Sequence, residues 1–329
     1  MKIFLVGEAG EHRDDLAPHL EVPAEIVALP WAAADTTDFD DRFGADDVVV
    51  SLRFRRSRPA PPLRLLHVPG AGLDQVDIDV LHPDTLLANV FEHEGPIAEF
   101  VLARLLEWEI RAADLQRDFS PENWTTTYRA RRPHGELAGK TMGLIGYGRI
   151  GRAIATRASA FGIHVLAVDD HAATPGDGVE LHPTGAMADV QARADYLVIA
   201  CPLTPATTGL IDAEALARMH RDSVLVNVSR GPIVDQWALY TALRDRSIGG
   251  AILDVWYRYP GTEDQDVPPA AAPLWELPNA WCTPHCSAWT TELPARRYAV
   301  IAENVNRLVT GQTLHNLVRR SLAPSSRRS

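Results

Sequence analysis

Cysteine is scarce in this chain, with three in 329 residues, at positions 201, 282 and 286. An odd, scattered set of thiols excludes a disulfide framework and suits a reducing compartment. No uninterrupted apolar run approaches the roughly 18 residues that a membrane-spanning helix needs; the best are segments such as 196–201. Positive charge is also short, since 32 Lys and Arg face 43 Asp and Glu, a net charge of −11. Such a balance repels nucleic-acid phosphates. The start, MKIFLVGEAG, has one Lys and a brief apolar run ended by Gly7, which is no signal-peptide core. These absences predict a cytoplasmic protein with neither nucleic acid nor membrane as partner.

What is present is ordinary globular material, 46% apolar and 23% charged, and at about 150 residues per domain the length suits two domains. Apolar runs at 2–7, 25–29, 46–52 and 63–70 alternate with helix-like or turn-rich stretches, the rhythm of a small α/β unit. Helical spacing then runs from Gly95 to about Arg117, and 118–140 reads as a polar extended arm. A denser alternation follows, with strands expected at 141–146, 163–168, 194–200, 223–228 and 249–254 in a doubly wound parallel domain. The stretch 260–273 reads as a Pro- and acid-rich loop and 290–310 as a helix. The last eighteen residues, with four Arg and no acid, read as a frayed end.

The sharpest motif is TMGLIGYGRIGRAIA, in which Gly146, Gly148 and Gly151 form G-x-G-x-x-G between an apolar strand and a helical pattern. Gly146 allows the tight turn, Gly148 the approach of a pyrophosphate, and Gly151 close helix–strand packing, with Tyr147, Arg149 and Ile150 completing the loop. Asp169 lies 18 residues beyond Gly151 at the end of the next strand. An acid there accepts ribose hydroxyls and repels a 2′-phosphate, and Asp170 adds to the repulsion, so the expected cofactor is NAD(H). Three further segments end apolar runs in polar residues: VNVSRG at Arg230, ILDVW at Asp254 and TPHCSAWT at His285. Carboxyl ends of parallel strands line the ligand crevice, so these three side chains are expected in one cleft.

The succession HVPGAGLDQVDID, the glycine fingerprint, CPLTPATTGLI, VNVSRGPIVD, ILDVW and TPHCSAWT resembles the D-isomer-specific 2-hydroxyacid dehydrogenases, over roughly residues 63–316. The resemblance implies a fold of two doubly wound (Rossmann-like and flavodoxin-like) α/β domains. A nucleotide domain, 93–290, is inserted into a discontinuous substrate domain, 1–92 and 291–329. It also implies a homodimer formed through the nucleotide domain. Arg230 would hold and polarise the substrate carboxylate, since a guanidinium fork matches a carboxylate better than Lys does. His285 would be the acid/base and Asp254 would support the nicotinamide side. Cys201, Pro202, Thr207, Val228 and Ser229 would join Arg230, Asp254 and His285 around the cofactor. Arg53, Ala71, Gly72, His93 and Trp289 would meet the substrate.

One departure stands out. Most relatives carry a Glu before a Pro shortly after D-V-[FW], paired with the catalytic His, and here the segment is DVWYRYPG with Tyr259 in that place. A neutral phenol orients an imidazole without stabilising its charged form, so a less basic His285 is expected. The loop PGAGLDQVD has Ala71 where phosphite dehydrogenases carry Lys, and Tyr259 and His93 stand where formate dehydrogenases carry Gln and Asn. If Arg53 points inward, a second anionic group on the substrate follows. Cys282, His285 and Cys286 lack a fourth ligand, so no metal is expected. The reading is an NAD-dependent reductase of small anionic 2-oxo acids. Its alternatives are a dehydrogenase of an atypical anion needing no strong acid/base, or a non-catalytic NADH sensor.

Overall fold

In a computed structural model, described for residues 1–172, 174–260 and 266–319, the chain forms two compact units, 1–92 with 290–329, and 93–289. Among the described residues the strands are β1 (Lys2–Val6), β2 (Glu25–Leu29), β3 (Val48–Val50), β4 (Leu65–Val68), β5 (Leu86–Asn89), β6 (Thr141–Ile145), β7 (His164–Val168), β8 (Val179–His182), β9 (Tyr196–Ile199), β10 (Val224–Asn227), β11 (Gly250–Leu253), β12 (Ala280–Cys282) and β13 (Leu317–Arg319).

The first unit holds one sheet in the order β13-β5-β4-β3-β1-β2, parallel except for β13 at the edge. Its apolar runs alternate between two cores. Ile3, Leu5, Val48, Val50 and Leu65 enter one and Phe4, Val6, Val49 and Leu66 the other, as a strand buried on both faces requires. The helix Leu293–Thr310 covers the first of these faces with Tyr298, Ile301, Ala302 and Val305. That burial ties the end of the chain to its beginning.

The second unit is a seven-stranded sheet, β12-β11-β10-β9-β6-β7-β8, with every pairing parallel. Helices Glu94–Ile110 and Arg149–Ala160 pack on one face through Ile97, Val101, Leu105, Ile154 and Ala158. From β6 the chain winds outward to β7 and β8, then returns to the other side of β6 as β9, so strand order reverses between β6 and β9.

Three local expectations are corrected. The helix from Gly95 is broken at Arg111, which takes a left-handed φ of 57° and starts a separate helix, Ala112–Arg117. Its guanidinium stacks on Trp281 and bonds Asp114, contacts that stabilise the break. The arm is not wholly extended, because Trp124–Ala130 forms two helical turns. The start of the last eighteen residues is not frayed, since 317–319 pair with β5 as β13; residues 320–329 of that tail and 261–265 within 260–273 lie outside the described residues. No helix among the described residues is long and apolar enough to cross a membrane.

Candidate active site

β6 ends at Ile145 and the fingerprint follows. Gly146 takes φ 96°, and a Cβ on it would lie 2.6 Å from the Cys201 backbone N, so only glycine lets the ends of β6 and β9 approach this closely. A Cβ on Gly151 would lie 2.2 Å from the Gly146 carbonyl oxygen, whereas one on Gly148 would meet nothing within 4 Å. The loop is thus closed behind and open in front of the helix Arg149–Ala160, whose N-terminal amides attract an anion. Tyr147 is buried, and its hydroxyl accepts from Gly176 N at 2.9 Å. Arg149 and Ile150 open the helix, with Arg149 3.7 Å from Glu94.

Asp169 follows β7. Its carboxylate accepts from Tyr147 N at 2.7 Å and His171 N at 2.8 Å, which fixes it beside the glycine turn with lone pairs to spare for hydroxyl donors. Asp170 accepts from Thr184, which holds its carboxyl below the usual carboxylate range. An open glycine cradle, a helix N-terminus and a tethered acid together fit a dinucleotide whose ribose carries free hydroxyls.

On the other side of the reversal, Thr207 accepts from Thr204 N at 2.8 Å and donates to the Pro202 carbonyl at 2.7 Å, stapling the turn after β9. Cys201 is buried, burial pushes its thiol up to about 11, and its carbonyl accepts from the Ser229 hydroxyl. Val228 and Ser229 are buried at the end of β10.

Arg230, Asp254 and His285 follow β10, β11 and β12, three neighbouring strands. Asn227 sets the first turn by accepting from Ser229 N at 3.1 Å and donating to the Arg230 carbonyl at 3.0 Å. Arg230 is half-buried, with Nη1 donating to the Ser229 carbonyl at 2.8 Å. Next to it, a Cβ on Gly231 would lie 2.5 Å from the Trp256 backbone, so the Arg230 turn rests directly on the turn after β11.

Asp254 is fully buried. Its carboxylate accepts from the Thr283 hydroxyl at 2.6 Å, Cys286 N at 2.8 Å and Ser287 N at 2.9 Å. The Trp256 indole donates to the Thr283 carbonyl at 2.8 Å. The loop so tied carries His285, exposed and held at φ 58°, a conformation that costs a non-glycine residue about 1 kcal/mol or more. Tyr259 packs its ring against the imidazole at 5.4 Å between centroids, while its hydroxyl accepts from Trp256 N at 3.1 Å. Trp289 is exposed at the end of this unit.

Of the residues expected to meet substrate, His93 is buried as the first residue of the second unit, at the head of the helix Glu94–Ile110. Trp289 closes the same unit, whereas Arg53, Ala71 and Gly72 lie in the first unit, after β3 and β4. Ala71, beside Gly72, has its carbonyl held by Asn89 Nδ2 at 2.9 Å. Arg53 stacks on Trp31 at 4.5 Å and donates to Asp35 at 2.5 Å. Asn227, Thr283, Trp256, Trp31 and Asp35 escape a reading by motif. Thr283 and Asn227 stand inside quoted motifs but act through hydrogen bonds, and Trp31 and Asp35 lie in a stretch that carries no signature.

Comparison with known proteins places the chain among relatives of one family. The family described as D-isomer specific 2-hydroxyacid dehydrogenase, NAD binding domain, matches residues 102–287. A glyoxylate reductase of Korarchaeum cryptofilum is 31% identical over 269 residues, 79% of this chain and 77% of that one. A D-3-phosphoglycerate dehydrogenase of Mycobacterium leprae is 35% identical over 268 residues, 79% of this chain and 47% of the relative, so the chain spans about half the length of that enzyme. The crystal structure of a D-isomer specific 2-hydroxyacid dehydrogenase family protein from Aeromonas salmonicida superposes with a TM-score of 0.75 at 26% identity, covering 97% of this chain and 98% of that one. The fold and fingerprint define a dinucleotide-binding α/β protein. More particularly, the chain belongs to the D-isomer-specific 2-hydroxyacid dehydrogenase family and carries that family's NAD-binding domain.

Proposed function

We propose that the protein is an NADH-dependent reductase of small 2-oxo acids, producing the 2-hydroxy acid. The observation that carries this reading is the convergence of Arg230, Asp254 and the His285 loop at the carboxyl ends of three adjacent parallel strands in the unit that also holds the glycine cradle. When bound, NADH supplies the hydride. Arg230 grips the substrate carboxylate through two parallel bonds and draws charge from the adjacent carbonyl. His285 donates a proton to the carbonyl oxygen as C2 gains the hydride, and the reverse transfer accompanies oxidation. Tyr259 orients the imidazole by ring packing. Asp254 reaches the reaction through the loop it holds. Asp169 and Asp170 favour NADH over NADPH, because a 2′-phosphate would face two carboxylates.

The activities of the relatives, glyoxylate reduction among them, support a substrate of this size. The second unit also carries an exposed aromatic row, Phe119, Trp124 and Tyr128, with ring centroids 5.9 and 5.1 Å apart. This row, with Leu115, is the surface through which two copies would pair. The compartment is the cytoplasm.

The test is NADH oxidation at 340 nm against a panel of 2-oxo acids from pH 5 to 9. Turnover on at least one acid is expected, and Arg230→Ala should lower kcat/KM by roughly 10²–10³-fold, the cost of stranding a charge partner. Bound NADH with no turnover on any acid would refute the reading.

A further inference from the structure

Tyr147 stands between the first two glycines of the fingerprint, and only 3% of it is exposed. Burying a phenol demands a partner for its hydroxyl. That partner is the backbone of a turn 29 residues further on, since the hydroxyl accepts from Gly176 N at 2.9 Å. At its other end the same residue donates its amide to Asp169 at 2.7 Å. One residue therefore connects the acid assigned to the ribose with the turn that leads into β8. Arg152, in the first turn of the helix Arg149–Ala160, adds a second tie. Its guanidinium lies over the Tyr147 ring at 4.6 Å, and Nη1 donates to the Thr174 carbonyl at 3.1 Å.

Residues 174–178 are exposed, so this turn has no core of its own and is held by its bonds. Val179 N closes it by donating to the Gly176 carbonyl at 3.2 Å. A Cβ on Gly176 would lie 2.9 Å from the Tyr147 hydroxyl oxygen, and its φ is outside the left-handed region. Glycine is thus required there by the contact and not by the backbone conformation. The turn also has a defined side. β7 and β8 flank β6 opposite to β9, β10, β11 and β12, so the turn and Asp169 lie across the glycine cradle from Arg230, Asp254 and His285. A dinucleotide with its pyrophosphate at the cradle sends its nicotinamide towards those three residues and its adenosine towards Asp169.

We propose that Tyr147 and Arg152 are positioning residues for the adenosine half of the cofactor. They hold 174–176 as a fixed wall beside Asp169, so that the turn is ordered before adenosine arrives and its ordering does not subtract from affinity. The proposal needs only the dinucleotide site and is independent of the 2-oxo acid reading.

The experiment measures Kd on the full chain, for NADH by its fluorescence and for ADP-ribose, which carries the adenosine without the nicotinamide, by calorimetry. The variants are Tyr147→Phe, which keeps the ring under Arg152, Gly176→Ala and the double variant. Each single variant should raise Kd about fivefold for both ligands, the scale of one hydrogen bond. The double variant should be no weaker than either single one, because both changes remove the same bond. A rise below threefold in Gly176→Ala overturns the proposal, and that variant alters only an exposed turn, so the result stands whether or not Tyr147→Phe folds. Losses that add in the double variant overturn it as well, as does a loss for NADH that ADP-ribose does not share. An unmodified protein that binds NADH but not ADP-ribose has the same consequence. None of these results bears on the 2-oxo acid reading, which turnover decides.

Discussion

His285 stands in a left-handed conformation that only a firm surrounding can hold, and the firmness comes from one buried carboxylate. Asp254 bonds the loop two residues before His285 and one and two residues after it, so neither flank can relax without losing a charge-assisted bond. Asp254→Asn offers one acceptor oxygen where three donors converge. We expect kcat to fall about 10²-fold, the scale of a roughly 1 Å misplacement of a catalytic group, with NADH affinity measured by fluorescence within threefold of the parent. Thr283→Val removes only the 2.6 Å hydroxyl bond and should lower kcat about tenfold, with no shift in the pH of half-maximal rate. A shifted pH profile would mean that Thr283 acts on the proton of His285 and not on its position. Tyr259 tests the sequence-based expectation of a less basic His285: a rate of reduction that stays flat to pH 8.5 counts against it.

At the scale of elements, β4 and the helix Leu293–Thr310 enclose His67, which is fully buried and accepts from Asn304 Nδ2 at 2.9 Å through Nε2. Burial lowers its pKa to about 4. In the unfolded chain the group titrates near 6.5, so the native state binds fewer protons between these values. The stability present above pH 6.5 is therefore lost as pH falls towards 4, by roughly 3 kcal/mol. Urea midpoints should drop across that window, and His67→Gln, which takes up no proton, should show a flatter dependence. A variant with the parent's slope would place the effect elsewhere. The strands of long apolar runs, β1, β6 and β9 among them, are legible in sequence because burial on both faces demands such runs. β8, β12 and β13 lie at sheet edges and carry no continuous buried apolar run, so composition marks them weakly. The break at Arg111 has no local signal either, since the contact with Trp281 spans 170 residues of chain.

Over the whole molecule, among the described residues, two units each build a sheet, wholly parallel in the second and parallel but for β13 in the first, with the residues of interest at the carboxyl ends of parallel strands. The proposed dimer belongs to this scale. Phe119, Trp124 and Tyr128 are each about half exposed, and covering the remaining half is worth roughly 1 kcal/mol apiece. Light scattering should give twice the chain mass at micromolar concentration. Phe119→Asp with Trp124→Asp should give a monomer that still binds NADH, while an unchanged mass would move the contact off the arm.

The sequence by itself determined the dinucleotide site, because G-x-G-x-x-G, the flanking strand and helix, and Asp169 are local features whose spacing carries their chemistry. It also singled out Arg230 and His285, the residues proposed to act on the substrate, at the ends of recognisable runs. Only the tertiary structure decided what holds the His285 loop and what pairs with Arg53. Asp254 meets Thr283, and Arg53 meets Asp35 and Trp31, through packing of strands distant in the chain. Hydrogen bonds and ion pairs across such separations leave no periodic trace, since either partner alone is an ordinary polar residue in a loop.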